Sequence, residues 1–210
     1  MTWDVFTGGF CQTNAYLLNT GGRRLLVDAP EDCAAWLRGL GVRVDALLLT
    51  HQHFDHVMDA ARLVADHGCP VVAWSQPTPE WWLNRLVSQM AGWELEIAPY
   101  VVTHELGGPG RGCGEVLEVA GESFRVLHVP GHSPDSVCFY QAASARCFCG
   151  DTVFAGGIGR TDFPGGNAAG LLAGIRENLF SLPGDTVLLP GHGGLTTVAD
   201  ERTGNPFFTE

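Results

Sequence analysis

Apolar positions along this chain follow two periods, and the switch between them marks its elements. Residues 14–18 and 24–28 are short, mostly apolar runs on either side of Gly21-Gly22, which predicts a β-hairpin. Residues 31–40 read as a short helix closed by Gly41. Residues 44–49 are apolar throughout most of a strand's length, as expected for a strand buried on both faces. Residues 57–67 carry Val57, Ala60, Ala61 and Val64 at helical spacing, and Gly68 then Pro70 end the helix. Residues 71–74 form the next strand. The order ββαβαβ predicts layers of helix and sheet.

Residues 81–89 read as an amphipathic helix, with Trp81, Trp82 and Trp93 crowding the region. A core-facing stripe is the reading taken, and a lid or subunit contact is the alternative. Residues 107–114 are rich in turn formers. Strands are then expected at 116–119, 124–129, 136–141 and 146–149, a helix at 170–179, and a last strand at 186–189. With no linker and no low-complexity stretch, residues 1–210 read as one α/β domain.

Composition narrows the function classes. The 45% apolar content is that of an ordinary globular chain, and 28 glycines suit many tight turns. A net charge of −11 repels phosphate backbones, so nucleic acid is excluded as a partner. No run approaches the ~20 apolar residues of a membrane span, and residues 1–10 lack the pattern of a secretory signal. No membrane association and a cytoplasmic location are therefore expected. The seven cysteines are scattered; Cys147 and Cys149 point to one face of a strand and read as structural.

The chemistry concentrates at Thr50-His51-Gln52-His53-Phe54-Asp55-His56. Imidazole and carboxylate suit zinc and other first-row metals. His51 and His53, one residue apart in an extended segment, point the same way. Asp55 and His56 follow where the chain turns into a helix and face the same space from a second side. Burying four ionisable groups so close together is costly without a metal. Three later segments share one form, an apolar strand, a tight turn and a ligand-type residue: Pro130-Gly131-His132, Gly150-Asp151 and Pro190-Gly191-His192.

These motifs resemble the metallo-β-lactamase superfamily, and within it the glyoxalase II-like, hydroxyacylglutathione hydrolase-like branch. The family's His-x-His-x-Asp-His motif matches residues 51–56, and its later His, Asp and His match His132, Asp151 and His192. Gly159-Arg160-Thr161-Asp162-Phe163 and the tail Asn205-Pro206-Phe207 are similar to further segments of that branch. The resemblance implies an αββα four-layer sandwich. It implies that His51, His53 and His132 bind one metal, that Asp55, His56 and His192 bind a second, and that Asp151 bridges them. Asp28 resembles an Asp behind the ligands, or is a plain strand-end Asp.

The implied reaction is thioester hydrolysis by a metal-bridging hydroxide that Asp55 orients, with a substrate such as S-lactoylglutathione. Two divalent cations are expected, zinc first, with iron or manganese as alternatives. With the sequence ending at Glu210, most of the helical region that carries the basic glutathione-binding residues of longer members is expected to be lacking, and the resemblance implies a short single-domain subgroup. Rival readings are a persulfide dioxygenase with one iron on His53, His132 and Asp151, a lactone or other ester hydrolase, and a metal-binding module without turnover. A homo-oligomer is allowed. Arg160 and Asp162 are read as a structural ion pair. His67, His104 and His128 are left outside the site, and His67, at a helix C-terminus, is expected to favour its charged form.

Overall fold

The computed structural model describes residues 2–78, 87–89, 92, 95–108 and 114–209. Strands β1 (Thr2–Gly8), β2 (Thr13–Thr20), β3 (Arg23–Val27), β4 (Ala46–Leu48), β5 (Val71–Ala73) and β6 (His104–Glu105) lie in that order in one sheet. The first three are antiparallel and the rest run parallel to β3. The second sheet has the order β14-β13-β10-β9-β8-β7. It is built from β7 (Val116–Val119), β8 (Glu122–His128), β9 (Val137–Gln141), β10 (Arg146–Gly150), β13 (Val187–Pro190) and β14 (Thr196–Thr197). A small hairpin, β11 (Val153–Phe154) and β12 (Gly157–Ile158), stands apart from both.

Adjacent residues in each strand serve different cores, because successive side chains of a strand point to opposite faces. Leu18, Leu25, Val27, Leu48, Phe124, Val126, Phe139, Phe148 and Leu189 meet between the two sheets. Their neighbours Leu17, Leu26, Leu47 and Leu49 pack outward against α1 (Cys33–Leu40) and α3 (Ala60–His67). Leu127, Cys138, Cys147, Cys149 and Leu188 pack against α4 (Ala168–Gly174) and α5 (Val198–Gly204). The order of layers is helix, sheet, sheet, helix. Both faces of the central strands are buried, which is why their sequences read as continuous apolar runs.

Several expected elements differ in detail. The helix expected over residues 57–67 starts earlier and is broken into α2 (Phe54–Val57) and α3. The break has a tertiary cause: the His56 carbonyl accepts the Ala29 amide at 2.8 Å, and the Asp59 amide donates to the Ala29 carbonyl at 3.0 Å. β1 gave no clear signal because it is a largely exposed edge strand. The expected helix over 170–179 begins at Ala168 and finishes in a wider π turn, Ile175–Leu179. Helix 81–89 and the turn-rich stretch 107–114 lie mostly outside the described residues. His67 corrects its expectation. It is buried, neither ring nitrogen has a hydrogen-bond partner among the described residues, and burial pushes its pKa down.

No helix among the described residues is long and apolar enough to cross a membrane. Phe148 sits between the sheets, 5.5 Å from the Tyr16 ring and 6.4 Å from Phe124, and is 1% exposed. Phe148→Ala is expected to cost about 3–5 kcal/mol through lost transfer energy and the cavity left behind. Urea unfolding monitored by circular dichroism measures it.

Candidate metal centre

Five loops deliver side chains to one edge of the sandwich, each leaving the C-terminal end of a strand. Asp28 follows β3, the segment 50–56 follows β4, His132 follows β8, Asp151 follows β10 and His192 follows β13. Parallel strands place their C-terminal ends side by side, so residues far apart in sequence meet there. The two sheets are stitched together at this edge. The Val137 amide donates to the Thr50 carbonyl at 2.8 Å, and the Asn14 amide to the Gly191 carbonyl at 2.7 Å. Gly191 allows a close approach, since a Cβ there would run into the Asp151 carboxylate and the His56 ring.

All seven ligand-type residues expected from the sequence come together. Ligand atoms of His51, His53 and His132 form one group, and those of Asp55, His56 and His192 another, each within 4.8 Å. In the first, His132 Nε2 lies 2.8 Å from His53 Nδ1 and 3.1 Å from His51 Nε2. In the second, Asp55 Oδ2 lies 3.3 Å from His192 Nε2 and 3.6 Å from His56 Nε2. Asp151 spans the two, with Oδ1 3.3 Å from His56 Nε2, and Oδ2 3.2 Å from His192 Nε2 and 3.6 Å from His132 Nε2.

The far side of four rings is held by fixed partners, which selects the tautomer. His132 Nδ1 donates to the Arg160 carbonyl at 2.9 Å and His192 Nδ1 to the Cys11 carbonyl at 3.1 Å. His56 Nδ1 donates to Asp28 Oδ2 at 2.9 Å. Asp28 Oδ2 also accepts the Thr50 hydroxyl at 2.8 Å, and that hydroxyl lies 3.2 Å from His51 Nδ1. Each arrangement leaves the Nε2 lone pair facing the centre. Asp28, in the left-handed region at φ 62°, therefore orients two imidazoles, one directly and one through Thr50.

The donor set fits divalent cations. His56 Nε2 and Asp151 Oδ1 are buried 3.3 Å apart and have no other hydrogen-bond partner among the described residues, an arrangement that a cation joining them would satisfy. The N···N and N···O separations are close to the edge of about 3.4 Å that a tetrahedral ion with ~2.1 Å bonds requires. Burial, and then neighbouring imidazoles, drive His53 down to about 3 and hold His51 well below its ordinary pKa, so their lone pairs are free. Burial opposes charge on His56 and His192 as well. There the carboxylates Asp55 and Asp151 outweigh it, raising His56 well above the ordinary range and His192 to about 10. A bound cation takes the place of those protons.

A sequence model described as the Metallo-beta-lactamase superfamily matches residues 8–192, and this span contains all seven of these side chains. The chain belongs to that superfamily. It is 33% identical over 197 residues to the hydroxyacylglutathione hydrolase GloC of Haemophilus influenzae, covering 93% of this chain and 88% of that one. The crystal structure of BLEG-1 B3 metallo-beta-lactamase superposes with a TM-score of 0.87 at 33% identity over the full length of both chains. TTHA1623, solved in a di-iron-bound form, gives a TM-score of 0.81 at 37% identity, covering 97% of this chain and 99% of that one. As a metallo-beta-lactamase superfamily member, the chain shares its fold with a group of generally hydrolytic, metal-binding enzymes.

A cavity of about 830 Å³ opens onto the ligand atoms. His53, Asp55, His132, Asp151 and His192 form its floor, and Phe10, Phe54, Val87, Phe154, Ile158 and Phe163 form apolar walls. Arg160 and Asp162 do pair, at 2.7 and 2.9 Å, and the guanidinium lowers the Asp162 carboxyl to about 2. The Arg160 guanidinium also lies 3.8 Å over the Phe163 ring and borders the cavity, while its carbonyl orients His132. His104 lies on β6, and His128 stacks on Trp74 at 3.7 Å, both off the site.

Sequence reading missed several supporting groups. Thr13 donates to Asp55 Oδ2 at 2.7 Å. Gln52 donates to Asp135 Oδ2 at 3.1 Å and accepts from the Tyr100 hydroxyl at 2.9 Å, tying the loop of His51 and His53 to the loop of His132. No local pattern marks these residues, because their partners are distant in sequence. Asp28→Asn tolerates the left-handed backbone but presents an N–H to a donor that now meets an oxygen. It is expected to weaken metal affinity by roughly 10–100-fold with the fold retained. Competition against a chromophoric chelator, alongside circular dichroism, measures both.

Proposed function

We propose that this protein is a dinuclear metal-dependent thioester hydrolase acting on small acyl thioesters of the S-lactoylglutathione type. The observation that carries the reading is Asp151, whose two oxygens face ligand atoms of both groups and so suit a carboxylate shared by two cations. Cations held by His51, His53 and His132 and by Asp55, His56 and His192 would supply hydroxide at neutral pH, polarise the acyl carbonyl and receive the departing thiolate. Zinc is the first choice for this donor set. Iron stands beside it, given the di-iron form of TTHA1623, and manganese is a further alternative.

The chain's own residues do the rest. Asp55, fixed by the Thr13 hydroxyl at 2.7 Å, presents a carboxylate oxygen at the cavity floor, where it accepts a hydrogen bond from the attacking water and aims it. The phenyl rings of the walls exclude bulk water and strengthen every polar interaction inside. A thiolate leaves without needing a proton, so the reaction asks for no general acid. The 33% identity to a hydroxyacylglutathione hydrolase supports this substrate class.

Purified, metal-loaded protein is expected to hydrolyse S-lactoylglutathione, followed as loss of thioester absorbance. His53→Ala is expected to lose bound metal and turnover together. Dialysis against a strong chelator is expected to lower the melting temperature and abolish turnover, both returning with zinc or iron. Well-loaded protein that leaves the thioester intact and instead consumes oxygen with glutathione persulfide would replace this reading with a mononuclear-iron dioxygenase.

A further inference from the structure

The tail Asn205-Pro206-Phe207 lies away from the metal ligands, yet its first residue is fully buried. Asn205 uses its whole amide. Nδ2 donates to the Gly157 carbonyl at 3.0 Å and to Glu201 Oε2 at 2.7 Å, and Oδ1 accepts the Phe207 amide at 3.0 Å. Glu201, on the preceding helix turn, is 4% exposed and makes no ion pair with Lys or Arg among the described residues. Instead its Oε2 accepts the Gly156 amide at 3.0 Å, and its Oε1 accepts the Thr196 hydroxyl at 2.5 Å. A buried carboxylate without a cation is retained only where donors satisfy it, and its donors here come from three separate segments.

One of those donors, the Gly156 amide, and the Gly157 carbonyl that accepts from Asn205 belong to one structure. Gly156 lies at the tip of the β11–β12 hairpin and Gly157 opens β12; in the hairpin Val153 faces Ile158 and Phe154 faces Gly157. The hairpin belongs to neither main sheet, so its own backbone pairing is short, and a two-stranded ribbon is marginal alone. It nevertheless carries Phe154 and Ile158, which form one wall of the cavity, and Phe154 lies 6.1 Å from the His192 ring. Another donor to Glu201, Thr196, follows His192 on the same connection.

We propose that Glu201 and Asn205 form a clasp that fixes the β11–β12 hairpin as the apolar acyl-binding wall of the cavity, making the C-terminal tail a determinant of substrate selectivity. The inference deepens the thioesterase reading and rests on it for its kinetic test. The substrate class it selects is thioesters whose acyl group carries an apolar chain to pack on Phe154 and Ile158. Glu201 and Asn205 are positioning residues; neither borders the cavity.

The test compares acetyl, butyryl and hexanoyl thioesters of one thiol with wild-type protein, Asn205→Ala, Glu201→Ala and Glu201→Gln. Wild type is expected to favour the longer chains through KM. Asn205→Ala and Glu201→Ala are expected to raise KM for the hexanoyl substrate by roughly tenfold, the size of losing a well-packed methylene contact, and to leave acetyl turnover and metal content as they were. Glu201→Gln keeps an oxygen for Gly156 and Asn205 and offers an N–H to the Thr196 oxygen, so it is expected to restore the wild-type preference. Ile158→Ala is expected to flatten the preference in the same way and not to add to Asn205→Ala in a double-mutant cycle.

Amide hydrogen exchange of residues 152–160 reads the clasp without any substrate. Faster exchange in Asn205→Ala, with protection of β10 and β13 unchanged, supports it even if wild type hydrolyses no thioester, an outcome that would overturn the thioesterase reading alone. Unchanged hairpin protection, or a loss of kcat equal for all three acyl chains, overturns the clasp. If the alanine variants do not fold, Thr196→Val removes one donor from Glu201 and the same two readouts decide.

Discussion

Buried carboxylates repel one another and buried imidazoles lose hydration unless something positive joins them, and this constraint organises one whole edge of the molecule. His51, His53 and His132 are stripped of charge by burial, while Asp55 and Asp151 stay ionised beside His56 and His192. Left unsupported, such a cluster would rearrange to find hydrogen bonds. It does not, because the outward nitrogens are already committed to Asp28, Thr50 and the carbonyls of Arg160 and Cys11. The lone pairs that remain have nowhere to turn but inward.

That commitment needs a frame stiff enough to hold it. The frame comes from strands buried on both faces, whose alternate side chains fill the layer between the sheets and the layers beneath the helices. Interiors packed this densely resist small displacements, so a loop leaving the end of such a strand starts from a fixed point. Backbone hydrogen bonds across the edge, from Val137 to Thr50 and from Asn14 to Gly191, then lock the two sheets at the place where their loops must meet. The Gln52–Asp135 contact adds a side-chain strut between the same loops.

The cavity walls depend on weaker scaffolding than its floor. The floor is carried by central strands, whereas Phe154 and Ile158 ride on a two-strand hairpin that borrows its anchorage from the C-terminal helix. Such a division lets metal binding stay rigid while the shape offered to a substrate is set elsewhere. Within one superfamily, chemistry and selectivity then reside in different parts of the chain.

Much of this was legible in the residues themselves. The alternating and continuous apolar runs predict the central strands, and the spacing of His51, His53, Asp55 and His56 announces a metal-ligand cluster because one short segment cannot bury those groups otherwise. His132, Asp151 and His192 were legible through their shared form of strand, turn and ligand. What the sequence could not decide is whatever depends on a distant backbone group. The break between α2 and α3 arises because the His56 carbonyl is taken by Ala29, the burial of His67 reverses the preference its helix end suggests, and β1 is an exposed edge with little apolar pattern to read. Asp28 illustrates the division. Its position after a strand is visible in the sequence, but only the fold brings His56 and Thr50 within reach of its carboxylate, since hydrogen bonds act over about 3 Å and the chain separating them spans more than twenty residues.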